Sequence, residues 1–442
     1  MKQLLILGNG FDLSCGLKST YNDFFEWRLN NLFKTTDVDN IIDQLNKVKM
    51  NSPTVSNFFE KTKNNGVLKA PEKSKFLVNK PPLEENKEPE FWNLEEAFPG
   101  ITRWDIFFIY AKKYLQPNET NEWQDIERII DNVIVVALHD KEGHPQFAPS
   151  KYNMNLHFKV DGESQFKKII YKYACNNFNQ TDEETRAQIL LTQLLDFEKE
   201  FSHYIYSQMK MDENLNFESP YFQKAKLLLR KISNPFNEFK AELNVWSFNY
   251  TLGPRFKNKL SGEDWNVTAW NNIHGLSCFD DPQARGIVKS NDKIPAPVFG
   301  IDPDDDLSSR MHIPQGRVIF TKPYRIINNK FTAIRQEFEF NDFDKIIVYG
   351  HSLGKADYSY FKYIFDETSI YTRPIKLIFY YWPGLYKTDL VEKQLIERQY
   401  TEKVVTLLNV YGKDSNLARG DIVTKLAIEG RLSVLPNPDI NL

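Results

Sequence analysis

Short apolar runs that end in glycine or polar residues recur along the chain and predict buried β-strands. Three of these runs pass directly into a turn, at Gln3–Gly10, Leu243–Thr251 and Phe343–Gly354. Two further strand candidates lie at Val267–Ile273 and Ile375–Trp382. Because helical patterns separate the runs, the sequence predicts an α/β fold with a parallel sheet, whose ligands bind at the carboxyl ends of the strands.

The long interval between the first and second strands has a different pattern. Apolar residues recur at helical spacing in Trp123–Val136 and in Glu183–Met209. The segment around Lys61–Glu90 is rich in Lys, Asn, Pro and Glu, which predicts an exposed loop rather than a binding surface. The pattern therefore predicts a large, mostly helical insertion after the first strand.

These patterns divide the chain into three predicted parts. Residues 1–28 and 241–388 form a sheet core, and residues 29–240 form the helical insertion. Residues 389–442 form a C-terminal part, in which Leu390–Tyr411 has the pattern of an amphipathic helix. The remainder of that part is expected to be a polar tail with further helical and turn character.

Composition limits the class of protein. The 442 residues carry a net charge of −3, whereas nucleic-acid-binding proteins usually show a basic surplus, so a nucleic acid is not an expected partner. Cys15, Cys175 and Cys278 lie far apart, and neither a metal site nor a disulfide framework is predicted. No window approaches the roughly 20 apolar residues of a membrane span. We expect a soluble, cytoplasmic protein that does not associate with membranes.

The first strand is followed at once by a glycine turn. Leu4–Leu7 leads into two glycines one residue apart, which allow the backbone to approach the phosphates of a ligand. The alternative is an ordinary tight turn at the end of a strand. The residues expected to contact a ligand here are Gly8, Asn9, Gly10, Phe11, Asp12 and Gly16.

Two polar residues follow other predicted strands. The amide of Asn249 can hold a ribose hydroxyl or an attacking water; the alternative is that Asn249 caps a helix that begins near Thr251. His274 precedes Gly275, so it can act as a general base while the glycine admits a substrate. The alternative for His274 is a hydrogen-bonded structural histidine.

The turn at Gly350–Gly354 matches the G-x-S-x-G nucleophile elbow of α/β-hydrolases, including the strand before it. That fold takes its triad in the order Ser, Asp or Glu, His, but no histidine follows His351. We therefore interpret Gly350, His351 and Ser352 as a turn that offers N–H groups and a hydroxyl to a phosphate or ribose. Asp357 can hold a ribose hydroxyl or cap the next helix.

A pair of carboxylates stands at the start of a predicted helix. Asp125 and Glu127 suit the first helical turn, where negative charge is favourable. The alternative is that Trp123, Asp125 or Glu127 faces a binding site, and their spacing does not decide between the two.

Several of these motifs resemble the AbiH family of bacterial phage-abortive-infection proteins. The matching segments span nearly the whole chain and are LLILGNGFDLSCGLKSTYNDF, WQDIE, SFNYT, NIHG and IIVYGHSLGKADYSYF. AbiH proteins in turn resemble, more distantly, the sirtuin-like NAD-binding fold. The spacing of Gly8–Lys18 is similar to the sirtuin pattern G-A-G-x-S-x-x-S-G-I-P. Asn249, His274 and Gly350–Leu353 are similar to the sirtuin active-site Asn, catalytic His and late G-[ST]-S-L turn.

The chain also departs from the sirtuin pattern. Thr251 stands where sirtuins have an Asp two residues after their Asn, and the four zinc cysteines of deacetylase sirtuins are absent. Sirtuin-like domains in phage defence are often NAD hydrolases, so the analogy favours hydrolysis over deacetylation.

The resemblance implies a Rossmann-like, sirtuin-like sheet and an anti-phage effector that hydrolyses the N-glycosidic bond of NAD. NAD is then the substrate, and no cofactor is implied. Asn249 would position the nicotinamide ribose or a water, and His274 would be the general base. The rival hypothesis is a sensor that binds a nucleotide without turnover and contacts a phage or host partner. A phage-derived trigger and assembly into an oligomer are left open.

Overall fold

The computed structural model describes the chain in separate ranges. They are residues 1–50, 89–116, 123–139, 154, 156–175, 182–209, 219–233, 241–260, 265–279, 294–301, 315–328, 339–384, 390–414 and 421–438. The loop expected around Lys61–Glu90 lies almost entirely outside the described residues.

A six-stranded, all-parallel sheet forms the centre of the structure, and the predicted α/β fold is confirmed. The strands are β1 (Lys2–Leu7), β2 (Ala241–Ser247), β3 (Trp265–Asn272), β4 (Lys345–Tyr349), β5 (Lys376–Tyr381) and β6 (Leu432–Pro436). The first five coincide with the apolar runs in the sequence. The sixth corrects the expectation of a tail with only helices and turns: β6 is an edge strand and half exposed, so it needs no long apolar run.

The order of the strands is 3-2-1-4-5-6 and reverses at β1. Leu7, the last residue of β1, pairs with Ser247 of β2 on one side and with Tyr349 of β4 on the other. The three strands therefore end level with one another. In open parallel sheets, ligands bind in the crevice beyond the carboxyl ends at such a reversal.

The described elements between β1 and β2 are helical. They are α1 (Asn9–Ser14), α2 (Tyr21–Phe33), α3 (Val38–Met50), α4 (Pro89–Ala97), α5 (Arg103–Tyr114), α6 (Trp123–His139), α7 (Gly162–Ile170), α8 (Glu183–Met209) and α9 (Pro220–Ser233). Helix α6 extends the predicted helix by one turn, and α8 has the predicted bounds. Reciprocal Thr–Asp capping boxes fix the starts of α2 and α5.

The remaining helices are shorter, apart from one long helix near the C-terminus. They are α10 (Pro254–Leu260), α11 (Lys322–Asn328), α12 (Tyr358–Glu367), α13 (Leu390–Asp414) and α14 (Ile422–Ile428). Helix α13 confirms the helical pattern at Leu390–Tyr411. None of the described helices is both long enough and apolar enough to span a membrane.

Hydrophobic side chains cover both faces of the sheet because successive residues of a strand point to opposite sides. In β1, Leu4 and Ile6 belong to a cluster with residues of α12, α13 and α14, whereas Leu5 and Leu7 belong to a cluster with residues of α9 and α10. A third cluster joins the helices that follow β1. Phe299 and Phe320, which follow β3 in the chain, also belong to this helical cluster. The division into three parts stays a prediction.

Candidate functional site

A cavity of about 1100 Å³ lies beyond the carboxyl ends of β1, β2 and β4. Turns that follow four different strands line it, and all but two of the site residues predicted from the sequence are among its walls. Those that line it are Gly8, Asn9, Gly10, Asp12, Asn249, His274, Gly350, His351, Ser352 and Asp357. The structure thus brings these residues together, and their roles stay predictions.

The two exceptions are Phe11 and Gly16. Helix α1 begins within the glycine turn, and Phe11 points into the core, where its ring edge meets Tyr349 at a centroid distance of 6.0 Å. Gly16 has a φ of +83° in the turn that ends α1, a conformation that favours glycine. Both residues shape the turn from outside the cavity.

The glycine turns after β1 and β4 pack backbone against backbone. The Gly8 N–H donates to the Tyr349 carbonyl at 2.9 Å, and the Gly10 N–H donates to the Gly350 carbonyl at 2.8 Å. A Cβ atom at Gly8 or Gly10 would lie 2.6 Å from backbone atoms of the other turn. These glycines therefore permit contact between two turns, and their N–H groups are already bonded within the protein.

Asn249 connects three of the turns. Its Nδ2 donates to the Gly8 carbonyl at 3.0 Å, its backbone N–H donates to Ser247 Oγ at 3.1 Å, and its carbonyl accepts from Asn272 Nδ2 at 2.9 Å. Since α10 begins only at Pro254, the alternative that Asn249 caps a helix near Thr251 is wrong. Its amide fixes the turn after β2 against the turn after β1.

Asp12 is a buried carboxyl group in the cavity wall. Its Oδ1 accepts from the Tyr221 hydroxyl at 2.6 Å, and Thr251 Oγ1 lies 3.0 Å from both carboxyl oxygens. Burial raises the pKa of Asp12 to about 7, although these two hydrogen bonds lower it. The group therefore gains or loses its charge near neutral pH.

His351 and Asp357 interact directly after β4. The Leu353 N–H donates to His351 Nδ1 at 2.9 Å, so Nε2 carries the ring proton and faces Asp357 Oδ2 at 3.4 Å. Asp357 precedes α12, but its side chain makes no capping hydrogen bond. The alternative that it caps this helix is wrong.

A buried lysine holds Asp357 together with Glu127. Lys322 Nζ lies 2.7 Å from carboxylate oxygens of both residues, and the lysine side chain is only 4% exposed. Burial lowers the pKa of Lys322, but Asp357 and Glu127 together raise it well above its usual value. For Asp357, burial raises the pKa, but Lys322 and His351 together hold this pKa well below its usual range. Lys322 and Asp357 are therefore both charged.

The sequence predicted neither Lys322 nor a definite role for Glu127. Lys322 stands in the segment Phe-Thr-Lys-Pro-Tyr, which contains no motif that would have identified it. Glu127 lines the cavity, and a role toward a ligand stays a prediction. The side chains of Trp123 and Asp125 lie outside the described residues.

His274 lines the cavity as a buried, neutral histidine. It is 5% exposed, and the rings of Phe248 and Tyr360 lie 5.3 and 5.4 Å from its ring. Its Nε2 has no hydrogen-bond partner among the described residues, so a hydrogen bond at this atom does not explain its burial. Burial, reinforced by the charge of Lys322, lowers the pKa of His274 to about 3.

The family model described as "Bacteriophage abortive infection AbiH" matches residues 4–381. This chain belongs to the AbiH family. The match includes the last four residues of β1, all of β2 to β5 and every turn that carries a predicted site residue. Membership implies a role in abortive infection by phage. No curated protein matches the chain, and no solved structure matches it.

Another part of the cavity wall in this AbiH protein combines aromatic and polar residues. It includes Tyr380, Tyr381 and Trp382 at the end of β5, and Ile396, Gln399, Tyr400, Glu402, Lys403 and Thr406 of α13. The Tyr400 hydroxyl donates to the His351 carbonyl at 3.1 Å, which joins this wall to the turn after β4. The run FYYW at the end of β5 could have indicated this wall from the sequence, but aromatic residues in a strand are equally typical of a hydrophobic core.

In the ranges that the structure describes, no group of three or more His, Cys, Asp or Glu side chains is arranged to hold a metal ion. Polar side chains that line the cavity include those of the four turns, Glu127, Lys322, Ser19, Thr20, Asn437 and residues of α13.

Proposed function

We propose that this AbiH protein binds NAD in the cavity and hydrolyses its N-glycosidic bond during phage infection. The observation that carries the proposal is the convergence of four strand-end turns on one cavity where the strand order reverses. The order 3-2-1-4-5-6 is also that of Rossmann-type dinucleotide-binding sheets. The choice of NAD among nucleotides is supported by the sirtuin-like spacing of Gly8–Lys18, Asn249 and His274.

Different parts of the cavity wall suit different parts of the nucleotide. Glu127 and Asp357 offer carboxylates to ribose hydroxyls and to the positively charged nicotinamide ring. Tyr381 and Trp382 offer aromatic surface to the adenine, and Lys403 offers a positive charge to the diphosphate. This assignment moves the diphosphate away from Gly8 and Gly10, because their N–H groups are already bonded.

The reaction needs a positioned ribose and a weak base. The bond between ribose C1′ and the nicotinamide nitrogen breaks, and its electron pair leaves with the neutral nicotinamide. A water then bonds to C1′ and gives up a proton, which neutral His274 can accept, so the products are nicotinamide, ADP-ribose and a proton. Since an oxocarbenium-like carbon reacts readily with water, a base as weak as His274 suffices. Asn249 would act through the turn that it fixes.

Release of nicotinamide tests this function. Purified protein is incubated with NAD, with and without a lysate of phage-infected cells, alongside Asn249→Ala and His274→Ala. We expect wild-type release, with a loss of about 100-fold or more in His274→Ala, as is typical when a general base is removed. Asn328→Ala and His203→Ala are matched controls, because neither residue lines the cavity. Release that survives both site substitutions contradicts the site assignment.

Binding without turnover is the second candidate. The observation in its favour is that the Asn249 amide and the N–H groups of Gly8 and Gly10 already bond to protein carbonyls. These groups stabilise the contacts between the turns, and their hydrogen bonds are already made within the protein before a substrate binds. Tight NAD binding with no nicotinamide release under any condition would favour this sensor role over hydrolysis.

A further inference from the structure

Two carboxylates from distant parts of the chain face one another across a lysine in the cavity wall. Glu127 comes from α6, among the helices after β1, and Asp357 follows β4. Each lies 2.7 Å from Lys322 Nζ, so the two bonded oxygens are separated by no more than twice that distance. The side chains of Glu127 and Asp357 are 22% and 16% exposed, and both line the cavity.

The arrangement holds more negative charge than the lysine requires. A buried ammonium is costly unless it is paired, but a single well-placed carboxylate already provides its partner. Here two carboxylates share the one ammonium of Lys322, and both line the cavity, where they would face a positive charge on a ligand or transition state.

A second feature of the same wall is a histidine nitrogen that has no hydrogen-bond partner among the described residues. His274 is 5% exposed, and its Nε2 makes no hydrogen bond to any described residue. His274 lies close enough to Lys322 and Asp357 to feel the charge of both. An unsatisfied nitrogen beside an excess of carboxylate is a costly arrangement for a wall that only supports the fold.

We propose that Glu127 and Asp357 are a catalytic carboxylate pair for the cleavage of NAD. They would accept hydrogen bonds from the hydroxyls of the nicotinamide ribose and stabilise the positive charge that develops on C1′ as the bond to nicotinamide breaks. Lys322 is the positioning residue, since its ammonium binds both carboxylates and holds them close together. The inference rests on the proposed function, and it makes α6 part of the active site.

The cleavage of NAD balances in atoms and charge with one water and with His274 as the proton acceptor. The C1′–nitrogen bond breaks and its electron pair goes to nicotinamide, while a water oxygen bonds to C1′ and its proton passes to His274. Neither carboxylate forms a bond to carbon. Glycosidases likewise use a pair of carboxylates beside the reacting sugar, where a similar cation-like carbon develops.

Glu127→Gln tests the pair most cleanly. The substitution keeps the size of the side chain and leaves the Lys322–Asp357 pair intact, so the fold is expected to persist. We expect kcat for nicotinamide release to fall about 100-fold, with the Kd for ADP-ribose within about threefold of wild type. Glu127→Asp, which restores the charge, should recover part of the lost kcat. Asp357→Asn should lower kcat similarly if its melting temperature shows that it folds.

Glu200→Gln is the matched control. Glu200 pairs with Arg28 at 2.8 Å, is partly exposed like Glu127, at 34% against 22%, and does not line the cavity. Its kcat should equal that of wild type. Wild-type kcat in Glu127→Gln would overturn the carboxylate pair and leave the proposed function standing. A wild-type protein that releases no nicotinamide under any condition would overturn both.

Discussion

Asp12 shows how one buried side chain can make the stability of this AbiH protein depend on pH. Its pKa is raised from 3.8 to about 7 in the folded chain. Between these two values the folded state binds more protons than the unfolded state. The stabilisation is therefore complete below pH 3.8 and is lost as the pH rises through about 7.

Asp12→Asn should remove this dependence. The amide cannot ionise, and its oxygen can still accept a hydrogen bond from Tyr221. We expect the variant to be more stable than wild type at pH 8 and to lose that advantage at pH 5, as measured by melting temperature. Asp39→Asn, at an 80% exposed carboxylate, controls for the loss of a negative charge. An identical difference from wild type at both pH values would contradict the raised pKa.

At the scale of elements, the contact between the turns after β1 and β4 organises the cavity. Gly350 has a φ of +67°, and a Cβ there would lie 2.4 Å from the Phe11 nitrogen. Gly430 has nearly the same φ, +65°, but a Cβ there would meet nothing within 4 Å. The two glycines share one backbone conformation and differ only in the available space.

Gly350→Ala and Gly430→Ala therefore form a matched pair. Gly430→Ala should cost about 1 kcal/mol in the free energy of unfolding, because only the backbone conformation opposes it. Gly350→Ala should cost at least about 2 kcal/mol more, since the two turns must separate. Urea denaturation measures both values. Equal losses would show that the turns after β1 and β4 do not pack as closely as described.

The sequence predicted elements more readily than it predicted side-chain partners. Strands β1 to β5 were evident because buried parallel strands need continuous apolar runs, and β6 was missed because an edge strand does not. Polar residues at the strand ends were found because parallel strands end at one edge. Lys322 was missed because its partners Glu127 and Asp357 lie far away in the chain, and no local pattern records such a contact.

At the scale of the whole molecule, the cavity is assembled from every part of the chain. The sheet turns contribute Asp12 and Asn249, α6 contributes Glu127, and α13 contributes Tyr400. Phe299, which follows β3, packs against Phe201 of α8 at a centroid distance of 5.0 Å. The helices after β1 are thus joined to the sheet through the core as well as through the cavity wall. Any movement of α6 would alter the site.

Calorimetric titration with NAD of a variant whose cavity is blocked tests whether NAD binds in this cavity. Ser352 is exposed and lines the cavity, whereas Ser359 of α12 is exposed and does not. Ser352→Trp fills the space near the turn after β4, and Ser359→Trp adds the same side chain elsewhere. We expect wild type and Ser359→Trp to bind NAD equally and Ser352→Trp to bind NAD at least about tenfold more weakly. Equal binding by Ser352→Trp, or no binding by wild type, would contradict the binding of NAD in this cavity.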